Sequence, residues 1–162
     1  VVPIKGSKSM SGITVKGIHD LAVRFSKCCS PVPGDEIVGF VTRGRGITIH
    51  RTDCINVLNL PEIERSRLID AEWQGVEEDN SAATYSTEIS IFANNRIGMF
   101  VDISKIFTER EIDIKTMNSR VNKQGKATIT MSFDIHGIEE LNNLMAKLRQ
   151  IDGVLDIERT TG

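Results

Sequence analysis

No apolar run in this chain approaches the roughly 18 residues that a membrane-crossing helix needs, and nothing at its start reads as the short apolar core of a secretory leader. Those absences argue against a membrane role. Cysteine is scarce as well: there are three in 162 residues, and two of them are neighbours. Three cysteines cannot all pair within one chain, so a reduced, cytoplasmic setting is expected. An initiating methionine is also missing. The chain starts at Val1 and runs through a polar stretch (Gly6, Ser7, Ser9, Ser11, Gly12), which reads as a tail or linker over residues 1–15 and as part of a longer protein.

What is present is 40% apolar residues, enough for one ordinary domain or two small ones. The net charge of −2 hides an uneven distribution. Residues 1–60 carry 8 Lys+Arg against 4 Asp+Glu, residues 61–82 carry 2 against 7, and residues 83–162 carry 10 against 11. Separate modules with separate partners would give such a pattern, and so would ordinary surface variation. Apolar residues thin out from Gln74 to Tyr85, and a linker is placed at 74–84.

Before the linker, Ile37, Gly39 and Val41 alternate with Val38 and Phe40, then Arg43-Gly44-Arg45-Gly46 leads into Ile47 and Ile49. This predicts a β-hairpin with arginines at its tip. Thr52 or Asp53 is the expected N-cap of a short helix through Ile55 and Leu58 that ends by Pro61. "LAVRF" from Leu21 and "RLIDAEW" from Arg67 read as further strands. After the linker, Ile89, Ile91 and Ala93 alternate with polar residues, and Met99, Ile103, Ile106 and Phe107 form the stripe of an amphipathic helix. Ile112 to Val121 and Ala127 to Ile135 are predicted strands either side of "NKQG". A second helix carries Leu141, Leu144, Met145 and Leu148, and a strand from Val154 closes the chain. The order is β-α-β-β-α-β, and the echo of "EIDIKT" in "VLDIERT" suits a split βαβ fold of two similar halves.

Cys28, Cys29, His50 and Cys54 are a candidate set of metal ligands, since thiolates with an imidazole suit tetrahedral Zn²⁺. Neighbouring cysteines in a strand would point to opposite faces, so sharing a metal requires irregular backbone, which Pro31, Pro33 and Gly34 favour. Buried small hydrophobes with a strand-end histidine are the plainer alternative. A catalytic thiol is a third, although no accompanying acid or oxyanion arrangement is visible. The Arg43/Arg45 tip, near Arg24, Lys27 and Arg51, suits phosphate contact or is simply a solvated turn. "NNRIGM", Asn94 to Met99, lies where a strand gives way to a helix, whose free N–H groups can bind a carboxylate or phosphate; a plain turn would look the same.

The string "GIHDLAVRFSKCCSPVPGDEIVGFVTRGRGITIHRTDC", followed by "RLIDAEW" and a βαββαβ module with "NRIGMFVDISKIF", closely resembles the C-terminal regulatory region of the bifunctional RelA/SpoT (Rel) enzymes. Those enzymes make and degrade the alarmone (p)ppGpp in the stringent response, and the likeness runs from about Lys16 to Thr160.

The resemblance implies an α+β chain: a cysteine-containing zinc-finger or ribosome-intersubunit domain over 16–73, a small mixed αβ domain with a β-hairpin, followed by a ferredoxin-like ACT domain over 85–162. It implies that the first domain contacts ribosomal RNA near A-site tRNA, with Arg43, Arg45, His50 and Arg51 as RNA-contacting residues. Zinc on Cys28, Cys29, His50 and Cys54 is implied by the family's name for the domain.

For the ACT domain the resemblance implies dimerisation and a site for an amino acid, with a branched-chain one such as valine as the candidate. Asn94, Asn95, Arg96, Ile97, Gly98 and Met99 would form it, with Asn118 facing it across a dimer. No counterpart of the family's catalytic domains is present, so the chain is expected to bind and regulate a GTP pyrophosphokinase or (p)ppGpp hydrolase rather than to catalyse. The alternative is a ligand-free module that only dimerises or packs on the enzyme's own catalytic domains.

Overall fold

The structure is a computed structural model and describes residues 13–15, 22–44, 46–73 and 83–160. Arg45, residues 1–12, the stretch 16–21 and most of the expected linker lie outside the described residues. The chain divides into two compact units, with the division between residues 82 and 83. Among the described residues, no helix is long and apolar enough to cross a membrane.

The first unit is built on five strands: β1 (Ile13–Val15), β2 (Val23–Phe25), β3 (Ile37–Thr42), β4 (Gly46–Arg51) and β5 (Leu68–Trp73), in the order β1-β5-β3-β4-β2. β3 and β4 form the predicted hairpin, with Thr42 opposite Gly46. β2 adds to β4 in parallel, and β1 pairs antiparallel with β5. Ile13–Val15 therefore belongs to the sheet and not to the tail where the sequence had placed it. Two buried residues in three positions gave no alternation long enough to read.

Gly46 is where β2 meets β4. Its backbone has φ +85°, Ile47 N–H donates to Ala22 O at 2.8 Å, and a Cβ on Gly46 would stand 2.2 Å from that same oxygen. Only glycine allows so close an approach. One face of the sheet buries Ile13, Val15, Ile47, Ile49 and Ala71. Phe25 and Trp73 flank them, stacked 5.5 Å apart.

Residues between β4 and β5 cover the opposite face. A one-turn helix, α1 (Ile55–Leu58), and a 3₁₀ helix (Glu62–Arg67) bring Val57 onto Cys29 and Cys54, beside Val38 and Leu68. The cap of α1 is Cys54 in extended conformation, with no side-chain hydrogen bond, and neither Thr52 nor Asp53. Asp53 is not available for that role because its carboxylate is committed to Arg51.

The second unit has the predicted β-α-β-β-α-β order: β6 (Tyr85–Asn94), α2 (Met99–Glu109), β7 (Ile114–Val121), β8 (Lys126–Ile135), α3 (Ile138–Arg149) and β9 (Val154–Arg159). The strands form an antiparallel sheet in the order β7-β8-β6-β9, the ferredoxin-like arrangement. Strict alternation on β8 buries Ala127, Ile129, Met131, Phe133 and Ile135. Met99, Ile103 and Phe107 of α2 and Leu141, Leu144, Met145 and Leu148 of α3 close over that face. Phe107 meets Phe133 edge-on at 5.0 Å.

The edge strand β7 departs from this pattern. Met117 and Val121 lie opposite Met131 and Ala127, so they share the face that the helices cover, yet they are 38% and 50% exposed. The helical layer stops short of them.

Candidate functional site

After β2 the backbone leaves the sheet in a turn at 27–29, followed by Ser30 at φ +47°. Because the turn breaks strand alternation, both neighbouring thiols reach one cluster. The ligand atoms of Cys28, Cys29, His50 and Cys54 all lie within 4.8 Å of one another. Cys28 Sγ is 3.4 Å from Cys54 Sγ and 3.5 Å from His50 Nδ1, and Cys29 Sγ is 3.8 Å from the same nitrogen. A tetrahedral zinc with sulfur ligands at about 2.3 Å spaces those ligands about 3.8 Å apart, so the donor set and its spacing fit the ion.

Burial pushes the Cys29 thiol up to about 12 and raises that of Cys54 as well. Burial also acts to raise Cys28, but hydrogen bonds from Ser26, 2.6 Å away, and other neighbours outweigh it and bring the thiol below its ordinary value. His50 is held below its ordinary value by burial, which favours the neutral imidazole a metal requires.

Arg51 supports the cluster from behind. Its backbone N–H donates to Cys29 Sγ at 3.3 Å, and its guanidinium donates to Cys29 O at 3.1 Å and to both oxygens of Asp53 at 2.9 and 2.6 Å. Arg51 is only 5% exposed. Its guanidinium thus already has partners within the unit, which any RNA contact by Arg51 would have to share or displace. His50 also turns its ring toward the thiols. Arg43 stands exposed at the hairpin tip, with Arg24 and Lys27 also exposed, and Arg45 lies outside the described residues. The sequence reading missed Arg67, which sits 4.7 Å over the Phe40 ring and donates to Val41 O. Phe40, a large aromatic on the strand leading to the hairpin tip, was the available signal.

In the second unit the stretch 94–99 is largely engaged with neighbouring parts of that unit. Asn94 accepts a hydrogen bond from Lys126 Nζ, and its N–H donates to Gly153 O. Asn95 N–H donates to Gly125 O. Arg96 donates from Nε to Asp152 O at 2.8 Å and from Nη2 to Asp102 Oδ2 at 2.7 Å. Gly98 caps α2 in the left-handed region, at φ +84°. Ile97 is fully exposed, while Met99 is fully buried, so Met99 offers a ligand no more than its backbone. Asn118 lies opposite Thr130, four positions along β8 from the Lys126 that pairs with Asn94. That separation is about 13 Å along a strand, so a single chain does not bring Asn118 to the loop.

Residues 13–74 match the family model for the RelA/SpoT RIS domain and residues 81–159 that for the ACT domain. The chain is 36% identical over 161 residues to a GTP pyrophosphokinase of Escherichia coli, covering 99% of this chain and 21% of that protein. Against the GTP pyrophosphokinase of Haemophilus influenzae it is 34% identical, over 96% of this chain and 20% of the relative. The chain thus spans about a fifth of the length of these curated relatives. Among solved structures it is similar to the ACT domain from GTP pyrophosphokinase of Chlorobium tepidum, with 26% identity, a TM-score of 0.43, 48% of this chain covered and 99% of that one.

Proposed function

The chain belongs to the RelA/SpoT family, of which it carries the RIS and ACT domains, and on that premise we propose that it is a non-catalytic regulatory region that reports to a GTP pyrophosphokinase through three inputs. Assembly through the ACT domain is the best supported input, and the observation that carries it is β7. Among the described residues β7 is an edge strand with unpaired backbone groups, its Met117 and Val121 face the core side without cover, and it would gain hydrogen bonds and burial if a second copy's β7 added to it. Light scattering across a concentration series tests this. The wild-type chain should dimerise and Met117→Lys/Val121→Lys should remain monomeric; a wild-type chain that stays monomeric throughout overturns the reading.

An amino-acid input at 94–99 rests on the left-handed Gly98 and the start of α2, and Asn118 would reach the loop only from a partner copy. Valine, leucine and isoleucine are the ligands to titrate, with Gly98→Val as the control. Saturable heat that the variant abolishes supports this input, and no heat from any of the three removes it.

The third input is contact with ribosomal RNA near A-site tRNA through the RIS domain. Cys28, Cys29, His50 and Cys54 would hold a structural zinc that orders the loops on one face of the sheet, while Arg43 presents its charge at the hairpin tip. Arg43→Glu should weaken ribosome binding and lower its salt dependence by about one phosphate contact, and unchanged binding would remove Arg43 from the interface.

A further inference from the structure

Two sulfur atoms of the first unit are close enough to bond with little movement. Cys28 Sγ lies 3.4 Å from Cys54 Sγ, whereas Cys29 Sγ is engaged by the Arg51 N–H at 3.3 Å. Cys29 and Cys54 are 1% and 0% exposed, and Cys28 alone of the three keeps part of its surface open. A disulfide requires about 2.05 Å, so the pair must approach by a little over 1 Å. Cys28 sits in the turn at 27–29, outside the hydrogen-bonded ladders that would resist such a shift. A bridge between the neighbours Cys28 and Cys29 is disfavoured, because adjacent Cα atoms stand about 3.8 Å apart and disulfides usually span about 4.4–6.8 Å.

We propose that Cys28 and Cys54 form a peroxide-sensitive thiol pair in which Cys28 attacks and Cys54 resolves. The Cys28 thiolate attacks one oxygen of a hydroperoxide, so that an S–O bond forms, the O–O bond breaks and the other oxygen leaves, protonated, as water or an alcohol. Cys54 then attacks the Cys28 sulfur: the S–S bond forms, the S–O bond breaks, and the departing hydroxide takes the Cys54 proton to leave as water. The peroxide gains the two electrons that the thiols lose. The pair draws on two of the four candidate zinc ligands, so the disulfide and the metal-holding state exclude each other. The bridge rests on the sulfur geometry alone and does not depend on the cluster being a zinc site.

The test treats the full chain, chelated or zinc-loaded, with hydrogen peroxide, followed by thiol titration and peptide mapping without reductant. Expected in the chelated chain are a loss of two of the three thiols, a mass lower by about 2 Da and a peptide linking Cys28 to Cys54, with slower loss in the zinc-loaded sample. Cys29→Ser should still lose two thiols, and Cys54→Ser should stop at a sulfenic acid on Cys28 that dimedone traps. Survival of all three thiols, a bridge that includes Cys29, or a bridge only between chains overturns the proposal. A chain that binds no zinc yet forms the Cys28–Cys54 bridge removes the metal reading alone, and the converse result removes this one alone.

Discussion

The two units solve the problem of a small core in different ways. The second buries a continuous layer in which β8 alone contributes five side chains and two helices supply the roof. The first buries two small clusters, one on each face of its sheet, and fills the second of them with two cysteines and Val57. Domains of this size are marginal on hydrophobic burial alone. A unit of that kind depends on polar fasteners, here the thiol–imidazole cluster and the buried Arg51, so its stability should respond to metal, redox state and pH where its neighbour's responds to packing.

Removing the metal is the largest expected break in that comparison. Structural zinc is a large stabilising contribution in small domains, so chelation, or Cys54→Ala, should lower the unfolding midpoint of the first unit well below that of the intact chain and leave that of the second in place. A chelated sample whose two transitions are both unshifted in calorimetry would refute the contrast. The reciprocal experiment is Phe133→Ala, which empties a fully buried site against Phe107 and should cost the second unit about 3–5 kcal/mol in denaturant titration, with no change in the first. Gly46→Ala should cost the first unit about 1–3 kcal/mol, because the left-handed backbone is strained by any side chain and the new Cβ collides with Ala22 O.

The smallest effect is that of pH on the metal-free first unit. Cys29 and Cys54 ionise less readily folded than unfolded, so stability should fall as pH rises above their ordinary value of 9.0, continuing toward about 12 for Cys29. His50 takes up a proton less readily folded than unfolded, so stability should also fall as pH drops below 6.5. Thermal melts of the chelated chain from mildly acid to alkaline pH check both signs.

The same contrast explains what could be read from the sequence. The second unit's fold was legible because its strands and helices are long enough for their periods to repeat: every second residue of β8 is buried, and Met99, Ile103 and Phe107 recur on one face of α2. The first unit's hairpin was legible from its glycine-flanked tip. The short helix and the strands in "LAVRF" and "RLIDAEW" were legible too, but β1, with three residues, and the parallel pairing of β2 with a strand more than twenty residues away were not. The cluster of Cys28, Cys29, His50 and Cys54 was legible as a set, since prolines and glycine signalled the irregular backbone that two neighbouring thiols need to face one way. The place of Arg51 behind the cluster was not legible because nothing local distinguishes a buried guanidinium from an exposed one. Its partners, Cys29 O and Asp53, appear only when β4 is placed beside the turn.

One detail of the second unit bears on how it would sense a nutrient. The Arg96 guanidinium at the mouth of α2 already holds a carboxylate, that of Asp102 one turn into the helix. A free carboxylate approaching Arg96 would meet a tethered competitor, so on the proposed amino-acid reading the loop would carry its own weak inhibitor. An exposed pair of this kind is worth at most about 1 kcal/mol, or about fivefold in affinity. If the loop binds an amino acid, the tether would therefore weaken that binding by a modest factor without blocking it.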